Sequence, residues 1–188
     1  MARLPLQVLV IPFRRRVGGQ IEYAIFKRRD VADDCWQGVA GGVEKDESVE
    51  QAARREMMEE AGIPADAPLV PLDAVASVPA SHFPDRDLWG RSLYVVTERA
   101  FGAYVDGAQA IVLSREHTEH RWVSYDEAAT LLRWDSNRTA LWELNERLAR
   151  GDVVLPCGSA PRIDPNRHPS ATRCSSPPLL RYAPQLRP

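Results

Sequence analysis

No run of 18 apolar residues occurs in this 188-residue chain, so no helix long enough to span a bilayer is expected. Cysteine is scarce. Cys35, Cys157 and Cys174 are odd in number and scattered, which argues against a disulfide framework or a cysteine metal motif and fits a reducing cytoplasm. Charge of one sign is also lacking: the formal net charge is −2, which gives no support to a general nucleic-acid binder. No internal repeat is visible. The opening MARLPLQVLVIPFRRR has no small-residue cleavage site and basic residues follow its apolar stretch, so it reads as a strand and not a signal peptide. What is present, 44% hydrophobic residues, suffices for the core of one domain.

The most informative stretch is GGVEKDESVEQAARREMMEEAGI, from Gly41 to Ile63. Ser48 and Gln51 have capping-box spacing, the next residues are good helix formers, and Gly62 is placed to close a helix. A helix from Ser48 to Ala61 is therefore predicted. At roughly 100° per residue, Glu56, Glu59 and Glu60 span only about 100° of its circumference. Val49, Ala52 and Ala53 continue that face with small apolar side chains, as a face against protein would. Acids at this spacing repel one another, and the helix dipole disfavours negative charge in the last turns. Arg55 offsets one of them. A divalent cation would resolve the conflict, because carboxylate oxygens suit magnesium and manganese. The plain alternative is a solvated acidic face.

The spacing around the acids decides between these readings. Gly41, Glu47, Arg55, Glu56, Met57, Glu59, Glu60, Gly62 and Ile63 match every defining position of the Nudix box. The chain thus resembles the Nudix hydrolases. The resemblance implies an α/β/α sandwich around a mixed sheet, a small-molecule phosphoanhydride substrate, magnesium as cofactor with manganese as a substitute, and a monomer or homodimer. It implies metal ligation by Glu56, Glu59, Glu60 and the Gly41 carbonyl. It also implies an acid from the loop before Trp122, Glu116 with Glu119 as rival, as metal ligand or general base. Glu47 and Arg55 would pair and hold loop and helix in register. Glu116, Arg55, Glu59 and Glu47 are the expected catalytic set.

FKRRDVADDCWQGVAGGVEKDES and EHTEHRWVSYDEAATLLRWDSNRTAL resemble segments of dihydroneopterin triphosphate pyrophosphatases, and the chain is also similar to dATP pyrophosphohydrolases. In the former the matching positions contact substrate at Arg28, Ala40 and Ser136. Ala40 lacks the hydroxyl often found there. Trp36 is a further candidate substrate contact, or simply core. Residues 64–113 match the pteridine enzymes poorly. The implied reaction is cleavage of a (deoxy)nucleoside or pterin triphosphate to monophosphate and pyrophosphate. Dinucleoside polyphosphates or nucleotide sugars are the alternative substrates, and a ligand-sensing module is a third reading.

In chain order, strands are predicted over Leu6–Phe13, Ile21–Lys27, Leu69–Val78, Arg91–Glu98, Ala100–Val105 and Trp122–Val123. His82–Gly90 reads as a loop with an aromatic near each end, placed either on the surface or at a substrate pocket. Tyr125–Arg133 should be a helix capped by Ser124, and a last helix should be capped by Asp135 or Ser136. His117 and His120 are expected on the surface. The domain is expected to span residues 1–150. Residues 151–188 hold eight of the 15 prolines and carry a charge of +3, and read as a poorly ordered tail.

Overall fold

The computed structural model describes residues 3–31 and 34–154; most of the tail, with Cys157 and Cys174, lies outside them. The described residues belong to one compact unit. Its seven strands are β1 (Arg3–Arg15), β2 (Ile21–Arg28), β3 (Trp36–Gln37), β4 (Val39–Glu44), β5 (Leu69–Pro79), β6 (Val95–Tyr104) and β7 (His117–Val123). The helices are α1 (Val49–Ala61), α2 (Tyr125–Leu131) and α3 (Asp135–Arg150).

The sheet runs β3-β2-β1-β6-β5, with β4 paired to β1 and β7 to β2. β1 and β6 are parallel while the other pairs are antiparallel, so the sheet is mixed. The two-residue period of β1 sorts its side chains. Val8 and Val10 pack toward α1 with Ala52, Ala53 and Met57. Leu9, Ile11 and Phe13 pack on the other face with Ala140, Leu141 and Leu144 of α3. Both faces of the sheet are thereby covered, giving the α/β/α sandwich.

Three local expectations need correction. The predicted strands Arg91–Glu98 and Ala100–Val105 are one strand starting at Val95. Arg99 does not interrupt it, because Val96, Glu98 and Ala100 point inward while Thr97 and Arg99 point out. α3 is not capped by Asp135 or Ser136. The cap position is Trp134, with no side-chain cap bond, and the Asp135 carboxylate is taken by Arg138. His117 is not a surface residue. β7 begins there, pairs with β2, and leaves the imidazole 1% exposed against Phe26. His120 is half-buried near the same ring.

Candidate active site

α1 starts as its sequence dictates. The Ser48 hydroxyl accepts from the Gln51 amide and the Gln51 side chain accepts from the Ser48 amide. It stops at Gly62, whose left-handed φ of 65° lets Gly62 and Ile63 donate back to Met58 and Met57. Between these ends Ala52, Ala53, Glu56, Met57, Glu60 and Ala61 are buried. That arc is centred between Glu60 and Ala53, with Glu56 nearer one side. Glu59, about 100° round from Glu60, falls at its edge and is exposed. Two of the three box acids therefore face inward and one faces out.

Arg55 fastens the helix to the strand-loop before it. Its Nε and Nη2 donate to Glu47 at 3.1 and 2.7 Å, and Nη2 also donates to the Gly42 carbonyl. Nη1 reaches Glu56 at 2.7 Å and Glu59 at 3.3 Å. Glu47 also accepts from the Glu44 amide. The hydrogen bond from Arg55 holds the Glu47 carboxyl below its ordinary pKa, and the Arg55 guanidinium is held more firmly protonated. Gly41 sits against Glu56, and a Cβ at this position would run into the Glu56 carboxylate.

Glu60 accepts from the Ala40 amide at 3.4 Å. Burial, then the charges of Glu116 and Glu56, push its pKa up to about 8. Burial also raises Glu56, with Arg55 opposing. His117 Nε2 lies 4.0 Å from Glu60 Oε2. Burial lowers the imidazole pKa to about 4, so at neutral pH this contact is not an ion pair, and both ring nitrogens lack a hydrogen-bond partner. Glu116 stands across from Glu60 and accepts from Arg28 Nη1 at 3.2 Å. Arg28 also binds Asp30 through two hydrogen bonds, which raise its pKa. Arg29 holds the loop bearing Glu116: its amide donates to the Glu116 carbonyl and its Nε to that of Arg115.

These groups meet in a cleft of about 1020 Å³. Arg28, Ala40, Gly41, Glu56, Glu60, Glu116 and Ser136 all line it. Glu59, Arg55 and Glu47 stand behind it in the network just described. Glu119 is not on the wall and pairs with Arg121. Trp36 is not on the wall either; it is 3% exposed, packed in the α3-side core under the Arg121 guanidinium. The expected His82–Gly90 loop instead holds a 3-10 turn over Pro84–Leu88 and follows another over Ala80–His82, and His82, Phe83, Pro84, Asp85 and Trp89 contribute to the wall. The Trp89 indole donates to the Arg3 carbonyl and ties this stretch to the start of β1.

The sequence reading missed Gln7, Glu98, Trp134 and Asn137, all on the cleft wall. Gln7 is the one polar residue in the run LQVLVIPF, and Glu98 is a charge at an inward position of β6. Those two breaks in apolar alternation were the available signal. Asn137 is buried and accepts from the Gly38 amide at 2.8 Å, joining α3 to the chain just before Ala40 and Gly41.

The NUDIX domain profile matches residues 4–142. The dihydroneopterin triphosphate diphosphatase of Escherichia coli is 31% identical over 139 residues, covering 73% of this chain and 89% of that protein. The RNA pyrophosphohydrolase of Hahella chejuensis is 46% identical over only 43 residues, so the match spans 27% of that relative. Among solved structures, a NUDIX hydrolase from Listeria monocytogenes is 42% identical with a TM-score of 0.70, covering 79% of this chain and 97% of that one. The Escherichia coli dihydroneopterin triphosphate pyrophosphohydrolase superposes with a TM-score of 0.63 at 28% identity, covering 77% and 99%. Box, sheet order and profile coincide over the same stretch of chain, and this protein belongs to the Nudix family.

Proposed function

We propose that the chain is a magnesium-dependent pyrophosphohydrolase that cleaves a (deoxy)nucleoside or pterin triphosphate between its α- and β-phosphates. The observation that carries this reading is the meeting of two buried helix acids, Glu56 and Glu60, with Glu116 and Arg28 in one cleft. The chain is a phosphoanhydride hydrolase by family, and its similarity to dihydroneopterin triphosphate diphosphatase supports the triphosphate substrate.

The residues present fit a hard divalent cation. Burial raises both helix carboxyls, with Glu59 adding to the rise of Glu56 and Glu116 and Glu56 adding to that of Glu60, so a cation would offset charge that is held there at a cost. The close seat of Glu56 against Gly41 directs its oxygens toward the Gly41 backbone. Among the described residues no three His, Cys, Asp or Glu side chains are already grouped for a metal. Glu56, Glu60 and the Gly41 carbonyl would hold the ion, with Glu59 adding oxygens after exchanging its arginine partner. A bound magnesium ion would neutralise phosphate oxygens and lower the pKa of the attacking water.

The chain's own groups do the rest. Arg28 exchanges Glu116 for polyphosphate oxygens and stabilises charge on the leaving pyrophosphate. Glu116, released from Arg28, accepts the proton of the attacking water. The water oxygen bonds to phosphorus as the anhydride bond breaks, and pyrophosphate leaves with the electron pair. Arg55 keeps Glu56 in place, and Glu47 keeps Arg55 in place. Residue 40 acts through its backbone, since Ala40 has no hydroxyl, while Ser136 offers one from the first turn of α3.

The test is pyrophosphate release from dihydroneopterin triphosphate and the common (deoxy)nucleoside triphosphates, with magnesium and with chelator. Magnesium-dependent pyrophosphate and monophosphate in equal amounts are expected. Preferential cleavage of dinucleoside polyphosphates or nucleotide sugars would replace the substrate assignment. No hydrolysis across the whole panel would favour a ligand-sensing domain.

A further inference from the structure

The cleft has a second polar centre away from the box acids. Glu98, on β6, is only 4% exposed and lies on the cleft wall. Its Oε2 accepts from Gln7 Nε2 at 2.8 Å, across the parallel β1–β6 pairing that sets these residues side by side. Its Oε1 is buried and makes no hydrogen bond of good geometry. Burial raises the carboxyl pKa, and the neighbouring Ser136 hydroxyl and Gln7 oppose that rise. A buried carboxylate oxygen left without a well-placed donor is costly, so it needs a use. No arginine or lysine is paired with Glu98 among the described residues, so the group is not one half of a structural ion pair.

The surroundings suit a flat heterocycle. Trp134, which is 42% exposed, and Phe83 line the same cleft, and Phe83 packs against Trp89. The Trp134 indole N–H is directed to Gln37, which holds the ring in place. An exposed ring such as Trp134, with the half-buried Phe83, beside a buried hydrogen-bonding group supplies the usual elements of base recognition: rings stack and the polar group reads an edge.

We propose that Glu98, steadied by Gln7, is the specificity-determining contact for the heterocycle, and that it selects a 2-amino-4-oxopyrimidine edge. This edge is common to guanine and pterins and presents two parallel N–H donors, the ring N–H and the exocyclic amine. A carboxylate presents two acceptors and pairs with both, as it does with an arginine fork. Adenine presents one donor and one acceptor and leaves one carboxylate oxygen facing a lone pair. Hypoxanthine keeps the ring N–H but lacks the amine. The inference rests on the triphosphate reading above and narrows it to the guanine and pterin members.

The experiment uses the full chain and two readouts. Equilibrium binding of GMP, IMP and AMP without metal reports the heterocycle contact alone. Values of kcat/KM for GTP, ITP and ATP with magnesium report the same contact during turnover. Hydrogen bonds to a charged group predict GMP over IMP by on the order of 10-fold or more, with AMP weaker still. In E98Q, guanine binding should fall at least ~10-fold while IMP changes by no more than ~3-fold, so the preference collapses. Equal GMP and IMP binding by the unaltered chain would overturn the proposal without any variant. Equal losses for both ligands in E98Q, or a preference for AMP, would overturn it as well. Guanine-selective binding with no turnover on any triphosphate would keep this contact and remove the hydrolase reading, so the two failures are distinguishable.

Discussion

His117 Nε2 lies 4.0 Å from the Glu60 carboxylate, with no hydrogen bond to join them. Both are buried, and burial drives both toward their neutral forms: the imidazole pKa falls to about 4 and the carboxyl rises to about 8. Stability therefore depends on pH from both sides. Glu60 binds its proton more tightly folded than unfolded, so its contribution is complete below the unfolded carboxyl range and is lost as pH rises through about 8. His117 binds its proton less tightly folded than unfolded, so its contribution is present above the unfolded imidazole range and is lost as pH falls toward about 4. Between the unfolded values of the two groups the trends oppose each other, and above about 6.5 only the Glu60 trend remains.

In chelator, the melting temperature should therefore fall as pH is raised from about 6.5 to 8.5. Thermal melts of the parent and of Glu60→Gln check this; the variant should show a flatter profile. Added magnesium should raise the melting temperature most at the high-pH end, where the carboxylates are ionised and the cation has the most charge to neutralise.

Glu60→Gln should lower magnesium-dependent turnover by orders of magnitude with the fold intact. An amide has the same shape but cannot supply an anionic oxygen. Circular dichroism and a steady-state assay on one preparation decide it. Near-normal turnover would remove Glu60 from the metal site.

Gly41→Ala tests the seat of Glu56. The new methyl group would meet the Glu56 carboxylate, which is buried and bonded to Arg55 and gives up that bond when it swings aside. Stability should fall by no more than the loss of that one charged hydrogen bond, about 1.5–3 kcal/mol, whereas turnover should drop ~100-fold as Glu56 leaves its place, in the range of a lost transition-state contact. A larger loss of stability with turnover retained would show that the glycine serves the backbone instead.

Arg55→Ala should cost stability as well as activity, because Glu47, Glu56 and the Gly42 carbonyl all lose a donor. A loss on the order of 2–3 kcal/mol is expected from charged hydrogen bonds of this type. Urea unfolding measures it. Glu59→Gln removes one longer, exposed bond to Arg55 and should change stability by less than ~1 kcal/mol.

α1 was legible in the sequence because everything that starts, carries and stops it lies within Ser48–Ile63. The capping box is a four-residue device, and the left-handed glycine follows at once. The orientation of Glu59 was less so. Helical geometry puts it near Glu56 and Glu60, but whether it falls inside the buried arc depends on where the sheet touches the helix. Trp36 illustrates the same limit: a tryptophan before the box is compatible with core or cleft, and α2 and α3 packing put it in the core.

What the sequence determined by itself is the family, the box helix and the acids it presents, because these depend on spacing along a few turns of chain. What tertiary structure alone decided is the far wall of the cleft. Gln7 and Glu98 are 91 residues apart and become neighbours only when β1 and β6 pair in parallel. The surface expected at His117 became core when β7 docked on β2 and covered the ring with Phe26. Local patterns report what a segment prefers; burial and pairing across the sheet are set by segments it has yet to meet.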